Sequence, residues 1–171
     1  MSVSSHLSPE PERRLWIIFE NLRHEIEQTD RKTAALTAFA AGEALALLSA
    51  GLLSWLAAVP LGLALPLGVA AFSPLTRAHK WLAFAESAEH DPHGTLILAE
   101  DIAGYSHNEL IHKLDKYLGG GITATRYYED IVGQILAAAR VCRRKRRMLT
   151  LLCWLVGLGQ AGVLLRLVTP L

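Results

Sequence analysis

Charge is scarce in this sequence, and in two long stretches it is almost missing. Between Ala34 and Leu75, 42 residues carry a single formal charge, Glu43, and between Met148 and Leu171, 24 residues carry only Arg166. The other 105 residues hold every remaining charge, so the overall 19% charged content, against about 25% in an average soluble domain, understates the segregation. That pattern excludes a small soluble domain. A net charge of +1 leaves no excess of cations for binding nucleic acid through bulk charge. Cysteine is nearly absent too. Cys142 and Cys153 lie eleven residues apart on one expected helix, about 16 Å along its axis, too far to pair with each other. There is no G-x-S-x-G, H-E-x-x-H or GK[ST] motif, no internal repeat and no low-complexity linker. No catalytic set is therefore expected, and the chain does not read as an enzyme.

The apolar stretches are long. A spanning helix needs about 20 apolar residues to cross a ~30 Å hydrocarbon core. Residues 34–75 are twice that length and read as a transmembrane hairpin, with the turn expected in SWLAAVPLG (54–62), where Pro60 and Gly62 interrupt the run and Trp55 suits the interface. Residues 148–171 supply a third span. Sixteen of the seventeen Lys and Arg fall on one side of this arrangement, Arg166 being the exception. The positive-inside rule then places the N-terminus and residues 76–147 in the cytosol and the C-terminus outside. The fold class is all-α: a multi-pass membrane protein with about three transmembrane helices and a helical cytosolic segment. Its divisions fall at 1–33, 34–75, 76–147 and 148–171.

The polar segments also read as helical. Over 12–33, Leu15, Ile18, Phe19, Leu22 and Ile26 share one face of an amphipathic helix that Pro9 and Pro11 keep from extending upstream. Its charge is balanced, which favours packing on other helices over lying on lipid. The second span is expected to run on through KWLAFAESAEH and break at DPHG (91–94). Ser106 and Glu109 form a capping box opening a helix of about a dozen residues, which the glycines at 119–121 end. The last helix starts near Thr123, carries Tyr128, Ile131, Ile135, Ala138 and Cys142 on one stripe, and continues through RRKRR (143–147) into the third span.

Few residues invite a ligand. His90 and His93, with Glu86 and Glu89, flank a proline turn and lack a zinc spacing, so no metal is expected. The triglycine in YLGGGITATR precedes a helix N-terminus, whose free N–H groups and dipole suit an anion. Gly120, Gly121, Thr123 and Arg126 would seat it, with Lys113 and Lys116 adding positive field; a plain helix cap and loop is the competing reading. The basic run reads as an anchor on anionic lipid. In the membrane, Ala38, Gly42, Ala46 and Ala50 recur every fourth residue, and Gly157 and Ala161 repeat the spacing in the third span. Small residues so placed let helices approach closely, within the chain or between chains, and a homo-oligomer is expected. Glu43 and Gln160 fall at similar depth near mid-membrane. An intramembrane carboxylate usually faces a bundle interior or a watery cavity, so Glu43 is expected to face Gln160, in one chain or across a subunit contact, and to line a path. Satisfaction by local backbone or Ser49 is the alternative.

Four pieces in order give the chain a familiar outline: the amphipathic helix; TDRKTAALTAF (29–39), with Asp30 and Lys32 just before the first span; LAEDIAGYSHNEL (98–110); and Gln134 followed by Lys145, leading into the last span. Over roughly residues 15–168 this resembles the transmembrane effector family of Pycsar antiphage systems. The resemblance implies an antiviral effector of the bacterial inner membrane. A partner cyclase would make cyclic CMP or cyclic UMP as the signal ligand, and the effector would then impair the membrane in an abortive infection. No other cofactor is implied, and membrane lipid is the remaining partner. A non-toxic structural or assembly protein of the membrane is the rival reading.

Overall fold

A computed structural model describes residues 9–72, 96, 98–117 and 126–169, with side chains from 13 in the first helix and from 127 in the last. Among these residues every regular element is a helix: α1 (Pro9–Ser49), α2 (Trp55–Ala71), α3 (Ala99–Gly104), α4 (His107–Tyr117) and α5 (Arg126–Val168). The expected all-helical class holds. Among the described residues one helix, over Tyr127–Val168, is long and apolar enough to cross a membrane, while α2 is apolar but shorter, at 17 residues.

The amphipathic segment and the first apolar segment form a single 41-residue helix, α1. Pro9 and Pro11 stand in its first turn, where proline sacrifices no helical hydrogen bond. At its other end Gly51 takes a left-handed φ of +65°. The Gly51 N–H then bonds the Leu48 carbonyl at 3.2 Å, and the Leu52 N–H bonds the Leu47 carbonyl at 2.9 Å, the two-bond Schellman ending. The chain thus turns over residues 50–54, upstream of the turn expected in 54–62. Pro60 and Pro66 lie inside α2 and do not end it, since an apolar helix with packed neighbours tolerates the lost donor. A side chain at a left-handed position costs about 1–2 kcal/mol. Gly51→Ala should therefore lower thermal stability in micelles by about 1 kcal/mol, and Gly51→Asn by less, because asparagine tolerates that conformation.

The chain forms two compact units, one from Met1–Glu25 with Ser87–Arg143 and the other from Ile26–Glu86 with Arg144–Leu171. In the first unit the predicted face of α1 is buried at Leu15 and Leu22, and α5 buries Tyr128, Ile131, Ile135 and Cys142 as its stripe requires. α4 runs antiparallel to this part of α5, with a Cβ on Gly133 falling 3.6 Å from His107 Cε1. In the second unit, Ala40 of α1, Leu61 and Ala64 of α2, and Leu152 and Val156 of α5 form one core. Ala71 and Met148 form a smaller one.

The small residues that make this packing possible are not the expected stripe. Ala38, Gly42, Ala46 and Ala50 are exposed, as are Gly157 and Ala161, and nothing lies within 4 Å of a Cβ built on Gly42 or Gly157. The close approaches occur at Gly68 against Thr37, Gly159 against Leu61, and Gly162 against the backbone of Leu56. Neither cysteine is in a disulfide, with Cys142 buried and Cys153 exposed. The expected helix over KWLAFAESAEH, its break at 91–94, and His90 and His93 lie outside the described residues.

Candidate functional site

Two polar arrangements stand out, one in each unit. In the unit of Ile26–Glu86 with Arg144–Leu171, Asp30 of α1 and Lys145 of α5 form an ion pair, Nζ to Oδ1 at 2.5 Å. The lysine side chain is only 11% exposed and the carboxylate 34%, so the pair is shielded on the lysine side. Its neighbours on α1 are hydroxyls, buried at Thr29 and Thr33 and half-buried at Thr37. Thr33 donates to the Thr29 carbonyl at 2.8 Å, and Thr37 donates to the Thr33 carbonyl at 2.7 Å. The charge pair therefore sits where the polar half of each long helix gives way to its apolar half. It fastens α1 to α5 at that level, and a competing charge would release it.

The other arrangement lies where α3 meets α4. The Ser106 N–H donates to Glu109 Oε2 at 2.9 Å, and the Glu109 N–H donates to Ser106 Oγ at 3.3 Å, so the capping box is formed as expected. Tyr105 precedes the cap and is 2% exposed, and it occupies the position from which a hydrophobic staple reaches Leu110. Lys113 Nζ donates to Tyr105 Oη at 2.5 Å and lies 4.3 Å from the ring centroid. Arg140 of α5 donates to the Tyr105 carbonyl at 3.5 Å. Two cations and a ring thus fix this corner, although sequence reasoning singled out neither Tyr105 nor Arg140. The staple position was the available signal for Tyr105.

Further along the same helix pair, one carboxylate oxygen of Asp115 is buried and makes no hydrogen bond. Burial raises the Tyr128 phenol above its ordinary value, and the Asp115 carboxylate raises it further. Above about pH 10 the unfolded chain releases this proton before the folded chain does. Stability from Tyr128 is accordingly complete below that pH and falls as pH rises through the elevated folded value. In a melting series from pH 9 to 11, Tyr128→Phe should show a shallower alkaline decline than the parent chain.

The expected site residues are distributed unevenly. Of the anion seat, Arg126 opens α5, and Thr123, Gly120 and Gly121 lie outside the described residues. Lys116 is exposed in the last turn of α4. Lys113 is turned to Tyr105, to whose phenol its ammonium donates. Asp30 and Lys145 are brought together, whereas Lys32 and Gln134 are exposed. Glu43 is half-buried with its Oε2 enclosed and without a hydrogen bond, and Gln160 is exposed. A single chain therefore does not bring this oxygen to the Gln160 amide. Ser49 instead donates to the Ala46 carbonyl at 2.9 Å.

Comparison with known proteins gives one positive result. The family described as the Pycsar effector protein domain, PycTM, matches residues 14–170. No curated protein and no solved structure matches the chain. A match over nearly the whole of a 171-residue chain shows the family: the chain belongs to the Pycsar effector proteins.

Proposed function

We propose that this chain is the membrane-acting effector of a Pycsar-type antiphage system. In this reading it resides in the bacterial inner membrane and crosses it three times, through the apolar part of α1, through α2, and through the second half of α5. Its N-terminus and residues 76–147 face the cytosol and its C-terminus faces the periplasm. A partner cyclase makes cyclic CMP or cyclic UMP on infection, and the nucleotide triggers the effector to impair the membrane, ending the infection together with the cell. The family match over residues 14–170 carries the reading. The near-total confinement of Lys and Arg to one side of the three apolar segments supports the orientation. A single unbroken α5 supports coupling, because one helix contains both the buried stripe of the polar unit and an apolar stretch fit to span.

The nucleotide phosphate is assigned to the sequence leading into α5, where Arg126 would supply a cation and Thr123, Gly120 and Gly121 would supply N–H groups for an anion, with Lys116 adding positive field. A charge-assisted phosphate contact contributes about 1.5–3 kcal/mol. Arg126→Ala should thus shift the dose response about ten- to a hundredfold.

Co-expression with a pyrimidine cyclase tests the proposal. Active cyclase should collapse the membrane potential in cells carrying this chain, and a catalytically dead cyclase should leave it intact. An equal potential in both would overturn the reading in favour of a structural membrane protein.

A further inference from the structure

The outward surface of α5 is of two kinds. Over its apolar half, α5 turns Leu152, Val156, Gly159 and Gly162 inward, and Leu152 and Val156 join Ala40, Leu61 and Ala64 in one core. The remaining side is exposed. One flank of it carries Leu151, Trp154, Leu158 and Leu165, large apolar side chains that lipid tails match in polarity. The other flank carries Thr150, Cys153, Gly157, Gln160 and Leu164, all exposed as well. At 3.6 residues per turn these five fall within about 80° of one another around the helix, and their centre lies about 110° from that of the first flank.

Hydrocarbon accounts for the first flank and not for the second. Apart from the Trp154 indole, Thr150, Cys153 and Gln160 are the polar side chains of 148–165, and all three stand on the same flank. Their order is regular. Positions 150, 153, 157, 160, 164 and 167 repeat the alternating three- and four-residue steps of a heptad seam, the spacing with which one helix lies along another in a slight left-handed coil. Thr150 places its proton within the helix, donating to the Arg146 carbonyl at 3.0 Å. Gln160 makes the sharper demand. Counted from Met148 it lies about 18 Å along the axis, near the middle of a ~30 Å hydrocarbon layer. Its carboxamide carries N–H donors and a carbonyl acceptor that lipid tails cannot satisfy.

A second copy of the chain meets that demand. Two copies inserted in the same orientation hold Gln160 at identical depth, and the carboxamide is complementary in charge to itself: about a twofold axis, the positive N–H end of each meets the negative carbonyl of the other. A carboxylate or an ammonium in this place would repel its copy. Gly157, one turn before, puts no side chain between the helices. Arg146 takes the next seam position on the cytosolic side, outside the apolar stretch, where water and lipid phosphate screen like charges. We propose that Thr150, Cys153, Gly157, Gln160 and Leu164 form the contact by which two copies of this chain pair in the membrane, α5 lying parallel to α5, with the two Gln160 amides exchanging hydrogen bonds at mid-span. This rests on the membrane reading above and assigns the surface through which the effector associates with itself.

Cys153 supplies the test, since it stands on the seam two turns before Gln160 and is exposed. Inner membranes from cells making the full-length chain at low level are treated with copper phenanthroline, a membrane-permeant oxidant of thiols. A disulfide-linked product of twice the chain mass is expected, and Cys153→Ser should abolish it. In that background Leu164→Cys should restore the link, while Leu151→Cys and Leu158→Cys, on the other flank, should link at least tenfold more slowly. In micelles Gln160→Leu should weaken the dimer about three- to thirtyfold. Carbonate extraction reads the membrane assignment separately: a chain that washes off the membranes overturns that reading and the seam with it. A chain that stays in the membranes yet links at no seam position overturns the seam alone. Equal rates from the two flanks, or a linked product of some other mass, would do the same. A dimer as tight in Gln160→Leu as in the parent would overturn the amide pairing.

Discussion

Asp30→Asn and Lys145→Met should each loosen the join between α1 and α5, and the exchanged pair Asp30→Lys with Lys145→Asp should restore much of it. Removing one member of a fully buried pair leaves an uncompensated charge and costs about 3–5 kcal/mol, whereas an exposed pair contributes ~1 kcal/mol or less. Lys145 is 11% exposed and Asp30 34%, so an intermediate cost of about 1–3 kcal/mol applies, and Lys145 suffers more when left alone. Asp30→Asn should accordingly be the more damaging single change, because it strands the shielded ammonium. Lys145→Met leaves behind the better-solvated carboxylate and supplies an apolar stem of similar length. A double-mutant cycle on thermal unfolding in micelles isolates the pair. A coupling of about 1 kcal/mol or more is expected between residues in direct contact, while strictly additive single effects would mean that the pair does not hold the helices. In cells the same single changes should alter the cyclase-dependent loss of potential, and the exchanged pair should return it toward the parent.

This pair also marks how far the sequence could be read. Asp30 and Lys145 both belonged to motifs that suggested the family, but 115 residues separate them, and no local periodicity says that two such residues meet. What depends on neighbouring residues was legible. The capping box at Ser106 and Glu109 closed as its spacing required. The stripe from Tyr128 to Cys142 became the buried side of α5. The absence of any breaker across RRKRR allowed one 43-residue helix. The position of the first turn was misread because proline and glycine punctuate soluble helices more strongly than apolar ones. Pro60 and Gly62 were absorbed into α2, and Gly51, the single left-handed residue among those described, made the turn. The small residues show a related limit within the single chain. A repeat of four identifies one face of a helix but not the face that meets a neighbour, and the regular series Ala38, Gly42, Ala46, Ala50 lies exposed. Of the anion seat the sequence offered a helix N-terminus near Thr123, and α5 is described from Arg126. Lys113 could not be judged in the same way, since its position on the helix does not disclose that a tyrosine eight residues earlier holds it.

Gly162 should be among the least replaceable residues of the spanning unit. Pro60 has no N–H, so the Leu56 carbonyl, four residues before it in α2, lacks its helical donor. α5 approaches at that carbonyl. A Cβ on Gly162 would fall 2.9 Å from both the carbon and the oxygen of Leu56 and 3.0 Å from the Ala57 nitrogen. These are backbone atoms that no rotamer change can move aside. Bare glycine lets the two backbones close on each other, as small residues do between membrane helices. Ala57 is fully buried at the same level. Gly159, one turn earlier on α5, faces the side chain of Leu61, where a Cβ would fall 2.8 Å from Cγ. Overpacking in such a core costs about 1–3 kcal/mol. Gly162→Val should reach the upper end of that range, Gly162→Ala should cost less, and Gly159→Ala less again because the Leu61 side chain can partly yield. Gly42→Ala and Gly157→Ala meet nothing within 4 Å, and each replaces glycine in a helix interior, so they should be neutral or stabilising by up to ~1 kcal/mol. Thermal unfolding of all five variants in one detergent separates the cases. If Gly162→Val melts with the parent, or if Gly42→Ala destabilises as much as Gly162→Ala, the packing of α5 on α2 at Leu56 is wrong.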